Sequence, residues 1–289
     1  MLVSGPTSVN GPDYRPPRHK PAPTTVCPVD GTIWEPLTVP EAGAFPAEGV
    51  CHLWPAPTTN ADRYQGLLDE AEKERAERFK VAHAKDTFIV SRAAQRLVLA
   101  HYLGRPPAEV TIARDCQYCG ADHGRPYLPG TALDFNVSHA KGWLLLAVVA
   151  KGKVGVDIEA VSDRAVEDLA DRVFSPAEQH QFLLVDRPFR AAHFMTIWTR
   201  KEAAVKLTGH GLAAPFSALD VTGPTVIASP PPPNWPEAPI YLTGLSPKTN
   251  PDGSPLLHAA LATTIPIRTL HPCGPILTDI AQGPGKEDS

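Results

Sequence analysis

The chain lacks a long hydrophobic run. Its longest uninterrupted apolar stretch, Trp143 to Ala150, falls far short of the ~20 residues that a membrane-spanning helix needs. It also lacks a surplus of positive charge: 27 Lys and Arg stand against 31 Asp and Glu, for a formal net charge of -4. A general nucleic-acid binder would show a basic balance, so that class is not expected. The N-terminus has no basic region followed by an apolar stretch, so no secretory leader is expected. Cysteine is scarce and odd in number, five in 289 residues, which does not suit a disulfide framework. A reducing, cytoplasmic setting is the expectation.

Proline is scarce only in the middle. Of 33 prolines, 12 fall in residues 1–57, seven in 58–220 and 14 in 221–289. Proline has no N–H to give a helix or a ladder, so the folded centre is expected between about residues 48 and 222. Residues 1–44 read as a flexible proline-rich extension, and the tail, residues 273–289, reads as disordered. Pro230–Pro233 reads as a stiff connector.

Within the centre, apolar spacing predicts helices over 67–80 and 86–103, the second ended by Gly104 and Pro106. Strands are expected at 134–139, 143–150 and 154–160, and the short turns between them suggest an antiparallel meander. Ser175-Pro176-Ala177-Glu178 carries a capping serine, a first-turn proline and a capping-box glutamate. A long helix is expected over 189–208 with Gly209 as its stop. Further strands are expected at 218–221, 240–245 and 257–263. This order is α+β.

The strand Val154-Gly155-Val156-Asp157-Ile158-Glu159 alternates. Val154, Val156 and Ile158 share one face; Asp157 and Glu159 share the other with Gly155, which leaves room above the backbone. Two carboxylates on one face repel unless something positive stands between them. They are either a solvated polar face or part of an oxygen-ligand site for Mg²⁺, which favours one or two carboxylates completed by water and substrate phosphate. On the long helix, Trp198, Glu202 and Lys206 share a stripe, flanked by Lys201 and Val205. Glu four residues before Lys is also an ordinary helix-stabilising pair worth ~0.2–0.5 kcal/mol. Cys116, Cys119 and His123 have partial zinc-ligand spacing that Cys27 or Cys51 would have to complete.

Four blocks in order resemble the 4'-phosphopantetheinyl transferases, of the monomeric two-lobed, surfactin-synthetase-activating (Sfp-like) type. They are Gly124-Arg125-Pro126-Tyr127-Leu128-Pro129, Phe135-Asn136-Val137-Ser138-His139, Gly155-Val156-Asp157-Ile158-Glu159, and Trp198-Thr199-Arg200-Lys201-Glu202-Ala203-Ala204-Val205-Lys206 with Gly209-His210-Gly211-Leu212 after it.

The resemblance implies two similar α+β lobes packed as a pseudo-dimer, over 45–154 and 155–272, with coenzyme A as donor in the cleft between them. It implies that Asp157, Glu159 and Glu202 hold Mg²⁺, with Mn²⁺ able to substitute. Lys206 would contact the pyrophosphate and Lys201 would support that cluster. Arg125 and His139, with Pro126 and Ser138 nearby and Arg75 from the first helix, would bind the 3'-phosphate end. Arg92 and Arg96 stand in reserve. Glu202 would be the base. The acceptor would be a serine of an acyl or peptidyl carrier protein, and the rival reading is a catalytically inactive coenzyme A-binding or partner-recruiting protein of the same fold. Gln179, Gln181, Phe182, Leu183 and Leu184, with Arg187, Phe189 and Arg190, are the expected carrier-facing segment. No nucleic acid, membrane or second copy is expected as a partner.

Overall fold

The computed structural model describes residue 34 and residues 38–114, 124–160, 166–249 and 255–274. The zinc candidates Cys116, Cys119 and His123, and Cys27 with them, lie outside the described residues.

Eleven strands are described: β1 (Val50–Pro57), β2 (Ala113–Arg114), β3 (Pro126–Tyr127), β4 (Asp134–Ala140), β5 (Trp143–Val149), β6 (Val154–Ala160), β7 (Leu219–Asp220), β8 (Ile227–Ala228), β9 (Tyr241–Thr249), β10 (Pro255–Thr263) and β11 (Thr269–Pro272). The α-helices are α1 (Glu70–Glu77), α2 (Ala82–Leu103), α3 (Val166–Val173), α4 (Pro176–Leu183) and α5 (Arg190–Thr208). The fold is α+β, with a four-stranded sheet ordered β11-β1-β5-β4 and a three-stranded antiparallel sheet ordered β6-β10-β9.

The layers follow from side-chain alternation. β5 sends Leu144, Leu146 and Val148 toward α2, where they meet Trp54, Phe135, Ile89, Ala93 and Leu97. Its other face sends Leu145, Ala147 and Val149 into a second core against Val154, Val156 and Ile158 of β6 and Leu257 and Leu261 of β10. A strand buried on both faces needs no polar alternation, which accounts for the unbroken apolar run. The outer face of the second sheet, Ala260 and Ala262 included, packs against Ile197, Ala203, Ala204 and Val205 of α5 in a third core. The order through the molecule is thus α2, first sheet, second sheet, α5.

The helix signals hold. Ser175 and Glu178 form both halves of the capping box, and Gly209 ends α5 at φ 78°. The meander does not extend to three strands. β5 pairs β4 on one edge and β1 on the other, so no edge is left for β6, which pairs β10 instead. β4 reaches β6 with side chains: Asp134 Oδ2 accepts from the Val154 amide (2.7 Å) and Asn136 Oδ1 from the Val156 amide (3.0 Å). The last strand also departs from the expected division at 155–272, because β11 returns to pair with β1 in parallel. Nor is all of 1–44 free of the fold. Trp34 is buried in the inter-sheet core, and Pro40 O accepts a hydrogen bond from His101 Nε2 (2.8 Å).

Candidate active site

α5 and β6 build the centre of the site by backbone contact. A Cβ on Gly155 would collide with the carbonyl oxygen of Ala203 and lie 2.7 Å from the amide nitrogen of Leu207. The room expected above Gly155 is therefore filled by α5, which sets Glu202 and Lys206 beside the carboxylates of β6.

Asp157 is 1% exposed. Its Oδ1 accepts from Lys206 Nζ (2.6 Å) and Ser138 Oγ (2.9 Å), and Lys206 Nζ also donates to Ser138 Oγ (2.8 Å). β4, β6 and α5 each supply one corner of this triangle. The other oxygen, Oδ2, is buried and has no hydrogen-bond partner among the described residues. A bare buried carboxylate oxygen is costly unless something positive meets it. Burial raises the Asp157 pKa, and Lys206 and Ser138 oppose that shift.

The two neighbouring carboxyls feel the same field. Burial and then the Asp157 charge raise Glu159, while a hydrogen bond from Trp198 lowers it. Glu202 is pushed up to about 7, by burial first and by Asp157 next, with Lys206 opposing and Glu159 adding. Three carboxyls against one lysine leave surplus negative charge in a half-buried place, which a divalent cation would neutralise. Among the described residues, no three or more His, Cys, Asp or Glu side chains converge closely enough to hold a metal ion by themselves. This donor set suits Mg²⁺, which keeps water and substrate phosphate among its ligands, and not a structural zinc site.

A cleft of about 1030 Å³ opens beside this centre, between α2, β4 with its turn, and the end of α5. Arg75, Arg92, Arg125, Lys141 and Lys206 line it, with His83, His139 and His210, and no aspartate or glutamate is among the described lining residues. Arg75 lies over the Phe88 ring, 5.5 Å from its centroid. Pro126 is also on the wall, whereas Ser138 is held in the triangle. Such a cleft attracts a polyanion.

Two expected site residues are occupied elsewhere. Lys201 is fully buried and donates to the carbonyls of Val173 (2.7 Å), Phe216 (2.7 Å) and Leu219 (2.6 Å) while ion-paired with Glu178. It cannot join the carboxylate cluster: one residue from Glu202 is about 100° round the helix, so it points into the third core. The guanidinium of Arg125 is bidentate on Asp134 and donates to Val154 O (2.6 Å). It lines the cleft as a clamp between β4 and β6 and has no free fork for a phosphate. The reserve arginines are paired too, Arg92 with Glu72 (3.5 Å) and Arg96 with Asp69 (2.9 Å) and Glu72 (2.6 Å). Sequence reasoning missed the Trp198–Glu159 bond, although the shared stripe of Trp198 and Glu202 was the available signal.

Residues 53–151 match the family described as 4'-phosphopantetheinyl transferase, N-terminal, and residues 153–229 match the 4'-phosphopantetheinyl transferase superfamily. The two matches meet at the turn between β5 and β6. The chain is 40% identical to the 4'-phosphopantetheinyl transferase AcpT of Salmonella typhi over 144 residues, 48% of this chain and 74% of that one. It is 31% identical to the 4'-phosphopantetheinyl transferase HetI of Nostoc sp. over 171 residues, 56% of this chain and 70% of that one. It is 30% identical to slr0495 of Synechocystis sp., provisionally named for the same transferase, over 167 residues and 56% of this chain. It spans 65% of that relative's length.

Proposed function

Because the chain belongs to the 4'-phosphopantetheinyl transferase superfamily, we propose that it moves the phosphopantetheine arm of coenzyme A onto a serine hydroxyl of an apo acyl or peptidyl carrier protein. The observation that carries this reading is Asp157, with one oxygen bridged by Lys206 and Ser138 and the other bare, behind the Lys206 that lines a cleft with no aspartate or glutamate among its described lining residues.

In this reaction the serine oxygen forms a bond to the phosphorus that bears the pantetheine. The bond from that phosphorus to the bridging oxygen of the diphosphate breaks. The leaving group, adenosine 3',5'-bisphosphate, takes the electron pair. Charge grows on the diphosphate, so catalysis needs positive charge already aimed there. Lys206 supplies it: its ammonium is fixed on Asp157 and Ser138 before any donor arrives, so little ordering is left to do. Asp157, Glu159 and Glu202 would hold Mg²⁺, or Mn²⁺ in its place, which adds Lewis-acid charge at the diphosphate when bound. Glu202 takes the proton of the serine hydroxyl, as a carboxylate within reach of the diphosphate should. Trp198 orients Glu159 through its indole N–H. Lys201 holds α5 in place from behind.

The nucleophile belongs to the partner. Leu183, Leu184 and Phe189 are 62, 75 and 65% exposed at the corner where α4 leads to α5, and Arg187 is exposed beside them. This corner offers apolar contact and positive charge to an acidic helical carrier. Phe182 is buried, and Arg190 is bound to Glu167 (2.8 Å) and Val185 O (3.0 Å), so neither belongs to the docking face. No helix of the described residues is long and apolar enough to cross a membrane.

The test is mass spectrometry of an apo-carrier incubated with coenzyme A, Mg²⁺ and the protein. A gain of about 340 Da on the carrier, the mass of one transferred arm, is the expected result. Tight coenzyme A binding with an unchanged carrier mass, across a panel of acyl and peptidyl carriers, would favour the non-catalytic reading.

A further inference from the structure

β4 and β6 are edge strands of different sheets: β4 pairs with β5, and β6 with β10. No ladder of backbone bonds fixes the register of one against the other. The outer edge of β6 would present amides and carbonyls that a neighbouring strand ordinarily takes up. Three side chains of β4 do that work instead. Asp134, Asn136 and Ser138 alternate along the strand and so share a face, and all three are buried. Asp134 accepts from the Val154 amide, Asn136 accepts from the Val156 amide, and Ser138 donates to the Asp157 carboxylate.

The triangle at Asp157 is thus assembled across a joint. Ser138 belongs to the first sheet and Asp157 to the second. Lys206 rides on α5, which packs on the second sheet and donates to both corners. Geometry at the reacting diphosphate therefore depends on how β4 and β6 are set against each other. The three pins differ in their duties. Asp134 also takes Arg125 and Lys153, and Ser138 is itself a corner of the triangle. Asn136 is uncharged and stands between them. Its bond to Val156 fixes the residue immediately before Asp157.

We infer that Asn136 is a positioning residue for transfer: it pins β6 to β4 in the register that brings Ser138 to Asp157 and, through Ser138, holds the Lys206 ammonium. This rests on the transferase reading for the reaction it serves. A misplacement of ~1 Å between groups that must be aligned costs about 100-fold in rate, so a slack joint should show in turnover before it shows in substrate binding.

The test compares the full-length wild type with Asn136→Leu, Asn136→Ala and Leu99→Ala. Leucine nearly matches asparagine in size but leaves the Val156 amide bare. Alanine leaves room for a water at that amide, which keeps the fold where leucine does not. Leu99 is buried in the core under α2, away from the joint, so Leu99→Ala controls for lost stability alone. The readouts are kcat and KM per folded molecule, and Mn²⁺ affinity by electron paramagnetic resonance without donor or carrier. Both Asn136 variants should lose about tenfold or more in kcat, with KM for coenzyme A and for carrier within about twofold of the wild type. They should bind Mn²⁺ about tenfold more weakly, because Asp157 is no longer held in place. Leu99→Ala should keep the wild-type kcat per folded molecule. Because Asn136 also borders the cleft, a raised KM for coenzyme A at unchanged kcat would make it a donor contact and overturn the inference. Wild-type Mn²⁺ affinity in both Asn136 variants would overturn it as well. A wild type that modifies no carrier, with Mn²⁺ held more weakly by both Asn136 variants, would uphold the pin and remove the transferase reading.

Discussion

The carbonyl oxygen of Ala203 occupies the space that a side chain on Gly155 would fill. Strand β6 and helix α5 therefore meet backbone to backbone, at the one position of β6 where nothing projects toward the helix but hydrogen. Gly155→Ala must push α5 away, and overpacking of this kind costs ~1–3 kcal/mol. Because Glu202 and Lys206 ride on the displaced helix, transfer should fall by more than the loss of folded protein explains. Thermal melts and kcat per folded molecule check this. A Gly155→Ala protein with wild-type kcat would show that the contact is slack.

Metal removal should abolish transfer, and Mg²⁺ or Mn²⁺ should restore it. Asp157→Ala, Glu159→Ala and Glu202→Ala should each lower kcat per folded molecule by at least ~100-fold. The measurement is turnover with and without chelator. Chelator-resistant activity in the wild type would rule out the carboxylate site.

Lys201 and Lys206, five residues apart on α5, should differ in how far stability and transfer each depend on them. Lys201→Met leaves Glu178 charged and fully buried, at a cost of ~3–5 kcal/mol of stability. Lys206→Met should remove transfer, and it should cost less stability than Lys201→Met, because Lys206 is partly exposed and the Asp157 it leaves behind keeps its bond from Ser138. Adding Glu178→Leu to Lys201→Met should recover part of the lost stability, because the stranded charge is gone. Denaturant titrations decide the matter. If Lys201→Met is as stable as the wild type, the buried pair contributes nothing.

Acid should weaken the first sheet through His52. Its ring is buried, bonded to Tyr102 Oη (2.7 Å) and 5.0 Å from the His271 ring. Burial, with His271 and His101 adding, lowers its pKa from 6.5 to about 4. The unfolded chain therefore binds the extra proton first as pH falls. This contribution is intact above about 6.5 and is lost progressively down to about 4, for roughly 2–3 kcal/mol in all. His52→Gln should flatten that part of the stability curve between pH 7 and pH 4.5. Curves that stay parallel would place the acid sensitivity elsewhere.

Carrier docking should be separable from donor binding. Replacing Arg187 with glutamate and Leu184 with serine should raise KM for the carrier and make it more salt-sensitive, with coenzyme A affinity unchanged. Steady-state kinetics at two salt concentrations give the answer. Wild-type carrier kinetics in this double variant would move the docking surface away from the α4–α5 corner.

Local signals in the sequence predicted local structure well. Ser175 and Glu178 marked the start of α4, Gly209 marked the end of α5, and the alternation from Val154 to Glu159 put Asp157 and Glu159 on the α5 side of β6. Long-range pairing had no such signal. Three short-turned strands looked like a meander because nothing in β5 announces that β1 will take its second edge. β1 was hidden by Pro55 and Pro57, which argue against a central strand. They are tolerated because pairing with β11 stops at Leu53, so the proline-bearing half of β1 has one open edge. Lys201 and Arg125 were assigned by charge and motif, yet each has its charge consumed by a buried carboxylate, Glu178 or Asp134. That distinction depends on tertiary neighbours distant in sequence.

The pairing of β11 with β1 joins Val50 to Thr269, from the two ends of the folded region. A ribosome adds ~5–20 residues per second, so β1 waits on the order of 10–40 s for its partner during synthesis. Through that interval Cys51 and Leu53, both fully buried in the finished protein, face the cell along an unpaired edge. Until Thr269–Pro272 has been made, the nascent chain can mispair along that edge, although α5, earlier in the sequence, is already complete.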